Sequence, residues 1–169
     1  MLMLRYAYVL ALTVWLGGMI VLGAVVAPAT FAVLPALEPE SGRALAGAVF
    51  GTALSRFHLL AYASGAVLFV TLVAMAVLGP RPRSFAIRVG IVAVMLGVAL
   101  YSGLIVLGEI DSLQHQIAAG SPSEHTLPSQ LSATDPRRVR FDYLHGLSTR
   151  LMMVNVVGGL LLLMWEARE

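Results

Sequence analysis

The chain has 169 residues, 59% of them hydrophobic and 12% charged, with a mean hydropathy of +0.86. That is too apolar and too poorly charged for a water-soluble domain, and a net charge of +2 spread over scattered arginines gives no basic face for nucleic acid. Cysteine is absent, which excludes disulfides, thiolate metal sites and Cys nucleophiles, and lysine is absent too.

In chain order, four apolar runs cover Leu4–Val26, Phe57–Leu78, Phe85–Leu107 and Leu144–Trp165. Each has about the 20 residues that an α-helix needs to cross some 30 Å of hydrocarbon. The expected fold is therefore all-α: one integral membrane four-helix bundle spanning 1–169. The first run is too long for a signal-peptide core and carries Trp15 and a Gly17-Gly18 pair, so it reads as a retained helix. It is expected to end at Ala27-Pro28, with Thr30–Leu37 as a short turn or interfacial stub. Glu38-Pro39-Glu40-Ser41 reads as a helix start, and Arg43 to Arg56 as an amphipathic lead-in to the second span. Gly47 and Gly51 have the spacing of a close helix contact. Gly79-Pro80-Arg81-Pro82-Arg83 is a tight basic connection. Residues 108–143 form an extramembrane loop whose start, Glu109–Ala119, keeps helical spacing until Gly120-Ser121-Pro122 stops it. Ser121–Pro136 is a polar loop and Arg137–Asp142 leads into the last span. No internal repeat is visible.

Arg81 and Arg83, with Arg88 just inside the third span, place the short loop in the cytoplasm by the positive-inside rule. Both termini then face the cytoplasm and the longer loops face outward. The expected setting is the inner (plasma) membrane, with the lipid bilayer and other membrane subunits as partners.

His58 and His145 each fall in the first turn of a span, and the second and fourth spans run in the same direction. Both imidazoles are thus expected at one rim and similar depth, near Glu109, Asp111, Asp142 and His115. Two neutral imidazoles on separate helices suit axial ligation of haem b, or copper. The same residues also suit plain interfacial solvation. Met152-Met153 offer thioethers to copper or simple packing. Interior stripes follow from helical spacing: Tyr8, Trp15, Gly18 and Met19; His58, Tyr62, Gly65 and Phe69; Gly97, Tyr101, Leu104 and Gly108; His145, Ser148, Thr149, Met152 and Asn155. Ser148, Asn155, Trp15, Tyr101 and Glu109 are the polar or aromatic groups expected inside or at the rim. Arg150 is expected to snorkel outward or to pair with Asp142 or Glu109. His115 and His125 read as solvated.

Trp15-Leu-Gly17-Gly18, Phe31-Ala-Val-Leu34-Pro35, Gly42 and Phe50, then Asp135-Pro136 and Phe141-Asp-Tyr-Leu-His145-Gly-Leu-Ser148-Thr149, resemble the transmembrane-protein-205-like family. That resemblance implies a small four-helix membrane protein with a domain of unknown function, and it singles out His145 and Ser148. Met152 stands where that family tends to have asparagine, and Gly108-Glu109 where it tends to have proline. A more distant similarity to copper-resistance-D-like membrane proteins and haem-pathway oxidases implies metal or haem. The resulting expectation is a non-enzymatic membrane component or accessory subunit. Its alternatives are a haem- or copper-binding protein using His58 and His145, and a small transporter.

Overall fold

A computed structural model describes residues 2–79, 84–119 and 127–168. Four helices, each long and apolar enough to cross a membrane, make up almost all of it: α1 (Leu2–Leu37), α2 (Gly42–Leu78), α3 (Phe85–Ala119) and α4 (Pro136–Glu166). The protein is a multi-pass membrane protein of all-α fold. Helices α1 and α3 each pack on both α2 and α4. The four form a ring with α1 opposite α3 and α2 opposite α4.

The helices are longer than the apolar runs. Helix α1 does not stop at Pro28, because a π-helical turn over Leu22–Val26 precedes it. There the Ala27 N–H donates to the Leu22 carbonyl, five residues back. The widened turn makes room for a ring that would otherwise clash with the preceding carbonyl, and the helix runs on through Pro35 to Leu37. The Thr30 hydroxyl donates to the Val26 carbonyl at 2.7 Å, supplying a donor in the stretch where Pro28 has none. Helix α3 carries a matching π turn over Ser102–Val106 before continuing to Ala119. Helix α2 begins at Gly42, with Glu38–Ser41 as the connecting turn. The turn is tight: a methyl group on Gly42 would sit 2.3 Å from the Leu34 carbonyl oxygen, so any larger residue collides with backbone. Helix α4 starts at Pro136 behind the N-cap Asp135, whose carboxylate accepts from the Arg137 N–H at 2.8 Å and from its guanidinium. These bonds hold the Asp135 carboxyl below the usual carboxylate range. The Pro80–Arg83 connection, the Gly120-Ser121-Pro122 stop, residues 121–126 of the polar loop and His125 lie outside the described residues.

Residue contacts reveal a pseudo-two-fold that the sequence hides. A shift of 80 residues carries one π turn onto the other and Gly23 onto Gly103. A shift of 94 carries Gly65 onto Gly159, Leu68 onto Leu162 and Arg56 onto Arg150. Packing obeys both shifts. Gly65 is covered by Leu96 of α3, and Gly159 by Leu16 of α1. Gly103 is covered by His58 of α2, and Gly23 by Met152 of α4. The halves share a contact pattern with few shared residue identities, and for that reason the repeat is invisible to inspection of the chain.

Tyr8, Leu12, Trp15, Leu68, Leu72, Val92, Met95 and Leu162 fill the interior, each at most 1% exposed. At the end holding the start of α3, Arg88 is buried among them. Its guanidinium donates to Glu166 Oε2 at 3.2 Å, and exposed Arg5 donates to the other carboxylate oxygen. An acid in the last turn of a helix opposes the dipole; here two cations hold it. Arg88 is thus an interior side chain and no part of the loop charge.

Breaking a buried pair leaves a charge behind, whereas an exposed one contributes little. Glu166→Gln is expected to lower stability in detergent by about 3 kcal/mol, and Arg5→Ala by no more than about 1 kcal/mol. Thermal unfolding of the two variants checks the order.

Candidate functional site

The exposed arginines Arg56 and Arg150 correspond under the two-fold and stand close to the two π turns. On α4, 16 residues separate Arg150 from Glu166, about 24 Å at 1.5 Å per residue. On α1, 18 residues separate Arg5 from Gly23, about 27 Å. These spans approach the ~30 Å of a hydrocarbon layer, and a layer of that thickness over them would set the π turns at one rim with a helical hairpin beyond each.

The rim site gathers at the α3 π turn. His58 and Tyr62 both lie over Gly103: a methyl group there would fall 2.1 Å from Tyr62 Oη and 2.6 Å from His58 Cδ2. The Tyr62 hydroxyl donates to the Ala99 carbonyl at 3.4 Å, a weak bond. His58 Nδ1 stands 2.8 Å from the Leu54 carbonyl oxygen. A carbonyl only accepts, so Nδ1 donates to it and Nε2 is the ring nitrogen left for another partner. π turns recur at functional positions in helices, and this one is paired with an oriented imidazole and a phenol.

His145 is placed differently. It is exposed and stacks on Phe141, with ring centroids 6.1 Å apart and planes 8° apart. The expectation of equal depth took both histidines as first-turn residues, but α2 starts at Gly42 and α4 at Pro136. Under the two-fold, the residue matching His58 is Met152. His145 lies seven residues further out, about 10 Å along the axis, on the helix opposite. Met152 is half-buried over Gly23, and Met153 is exposed. Among the described residues, no group of three or more His, Asp or Glu side chains is close enough to hold a metal ion.

The remaining expected residues divide. Trp15 is in the core at 1% exposure and Asn155 is buried at 5%. Asn155 Oδ1 has no hydrogen-bond partner among the described residues. Ser148 is half-buried. Tyr101 is a correction: it is 44% exposed and faces outward, as do Gly97, Leu104 and Gly108. The buried face of α3 is Arg88, Val92, Met95, Ala99, Ser102 and Val106 instead. Phe69 likewise faces outward, while Ala61, Ser64, Gly65 and Leu68 face in. Thr149 is exposed. Glu109 belongs to the outer hairpin, where it pairs with Arg140. Asp142 lies 3.8 Å from Arg138, so Arg150 takes neither acid. His115 lies 3.6 Å from Asp111, exposed. Space over Gly47 and Gly51 is open, so their spacing serves no close contact among the described residues. The buried Arg88–Glu166 pair went unforeseen; its signal was the spacing Arg88, Val92, Met95, Ala99, one arginine at the head of a buried stripe.

Residues 10–119, from the first helix through both π turns to the end of α3, match the DUF4149 domain, a domain of unknown function. The chain belongs to the DUF4149 family. No curated protein and no solved structure matches it. In this DUF4149 protein the matched stretch contains Gly23, Gly103, His58 and Tyr62, and thus the whole rim site except Met152.

Gly103→Ala is expected to push Tyr62 and His58 outward and lower stability by about 1–3 kcal/mol. Gly97→Ala, where space is open, is expected to be neutral or slightly stabilising, since alanine favours helix. Thermal melts of the two variants in one detergent check the contrast.

Proposed function

We propose that the protein is a non-enzymatic component of a larger membrane assembly, held in it by the outward face of α3. One observation carries this reading. Ala86, Gly90, Ala93, Gly97, Tyr101 and Leu104 fall on a single stripe of α3, and all are exposed. A methyl group on Gly90 or Gly97 would meet nothing within 4 Å. Beside the stripe α3 exposes bulk, Ile87, Val94 and Ile105, as the outward faces of α2 and α4 do with Leu59, Val70 and Val77 and with Val157, Leu160 and Met164. In a bilayer apolar bulk suits lipid, whereas a stripe of small residues lets another helix backbone approach closely.

The setting that fits is the inner membrane with both termini cytoplasmic. With Arg88 withdrawn into the core, that orientation leans on Arg81, Arg83 and Arg5. The resemblance to transmembrane-protein-205-like proteins agrees with a small membrane component. A copper- or haem b-binding reading retains His58, whose Nε2 is the ring nitrogen left for a metal, but among the described residues gives it no second imidazole at its depth. A transporter reading meets a plug of fully buried Leu12, Leu68, Leu72, Val92 and Leu162 across the bundle.

The test is photocrosslinking in native membranes from a benzophenone amino acid at Leu104, at the end of the stripe, or at Val157 on α4. Discrete protein adducts heavier than the 18.0 kDa chain are expected from Leu104 and not from Val157. Gly90→Leu with Gly97→Leu is expected to abolish them. Adducts that survive both substitutions, or form equally from Val157, contradict the reading.

A further inference from the structure

The two outer hairpins stand at one height and differ in chemistry. The hairpin of α3 and α4 is dressed for water: Glu109 pairs with Arg140, Asp111 with His115 and Asp142 with Arg138. Its two-fold counterpart, formed by Ala27–Leu37 and the first turns of α2, has no charged residue from Ala27 to Leu37. Phe31, Val33, Leu37, Leu45 and Val49 on it are 42–70% exposed. The hairpin is internally closed. Phe31 meets Phe50 edge-on at 6.3 Å, and Gly42 rests on the Leu34 carbonyl. Its exposed apolar side chains are therefore surplus to its own packing, and on a hairpin that stands clear of lipid such side chains mark a contact. Sinking it into lipid would draw Arg56 down into hydrocarbon, which is unfavourable.

The tip supplies the identity of the partner. Glu38, Glu40 and Arg43 lie within six residues, all exposed, and none forms an ion pair among the described residues. Both signs on one apolar tip make a self-complementary surface. Two copies in one membrane hold their tips at equal height, where the acids of each can meet the arginine of the other.

We propose that this hairpin pairs side by side with the same hairpin of a second copy, apolar faces together and the Glu38/Glu40–Arg43 tips interlocked. The contact lies on the α1–α2 side of the ring and leaves the α3 face free, so it stands or falls apart from the assembly reading above.

The chain has no cysteine, which makes the test direct. Val33→Cys in native membranes is oxidised, with Leu161→Cys on the lipid face of α4 as control. Val33→Cys is expected to give a disulfide dimer at about twice the chain mass, and Leu161→Cys is not. Arg43→Glu is expected to lower the dimer yield about fivefold, as loss of one exposed ion pair per side allows. Adding Glu38→Arg and Glu40→Arg is expected to restore it. A Val33 thiol that reacts with water-soluble maleimide without dimerising overturns the proposal, because the hairpin is then bare. A thiol that neither dimerises nor reacts also overturns it, because lipid or another protein then covers the surface. A dimer yield indifferent to Arg43→Glu rejects the tip pairing.

Discussion

Close approach of a helix to a glycine, made twice at one height, sets the register of this bundle. Gly103 lies under His58 and Tyr62, and Gly23 lies under Met152. Neither glycine position tolerates a Cβ without displacing its cover. Each sits inside a π turn, where one extra residue per turn rotates the outer part of the helix relative to its membrane part. The buried face below the turn is thereby uncoupled from the surface above it. Helix α1 passes through two prolines and helix α3 continues into a polar hairpin without a break for the same reason. With these two contacts in place, Gly65 meets Leu96 and Gly159 meets Leu16 one or two turns deeper, and the apolar interior closes around Trp15 and Met95.

Electrostatics then sets the depth of the bundle. Arg56 and Arg150 reach outward at the rim of the π turns, and the Arg5–Glu166–Arg88 cluster closes the other end. The distance between the two levels fits the hydrocarbon layer, so charge lies where headgroups or a carboxylate receive it. Arg88 is affordable inside because Glu166 descends from the end of α4 to meet it. Beyond the π turns the pseudo-symmetry breaks: one hairpin is salt-bridged and polar, its counterpart apolar. An internal two-fold with unlike outer surfaces is the arrangement expected of a part that contacts different neighbours on different sides.

Much of the fold was legible in the chain. Run length against bilayer thickness gave four spans, and Trp15, Met19, Gly65 and Asn155 fall on the inward stripes that spacing assigns them. The end of the first helix was not legible, because prolines at 28 and 35 signal a stop unless a π turn makes room, and nothing in Leu22–Val26 announces one; the starts and stops at Glu38–Ser41 and Ala119 were. Depth was misjudged separately: counting from the apolar runs at 57 and 144 made His58 and His145 look like equivalents, whereas Met152 covers Gly23 as His58 covers Gly103. The inward face of α3 was misread for a physical reason as well. Gly97, Tyr101 and Gly108 carry the small and aromatic pattern of a helix contact, but the chain supplies no partner for them, while Arg88 heads the true interior stripe. Small-residue spacing reports that a helix packs closely; it does not say against which chain.

The register of the rim is the claim on which the rest stands, and paired cysteines in this cysteine-free chain measure it. Oxidation of Gly103→Cys with His58→Cys, and of Gly23→Cys with Met152→Cys, should give intramolecular disulfides in membranes, while His58→Cys with His145→Cys should give none. A disulfide between positions 58 and 145, with the two glycine pairs unlinked, would show the histidines at one depth and contradict the arrangement described above.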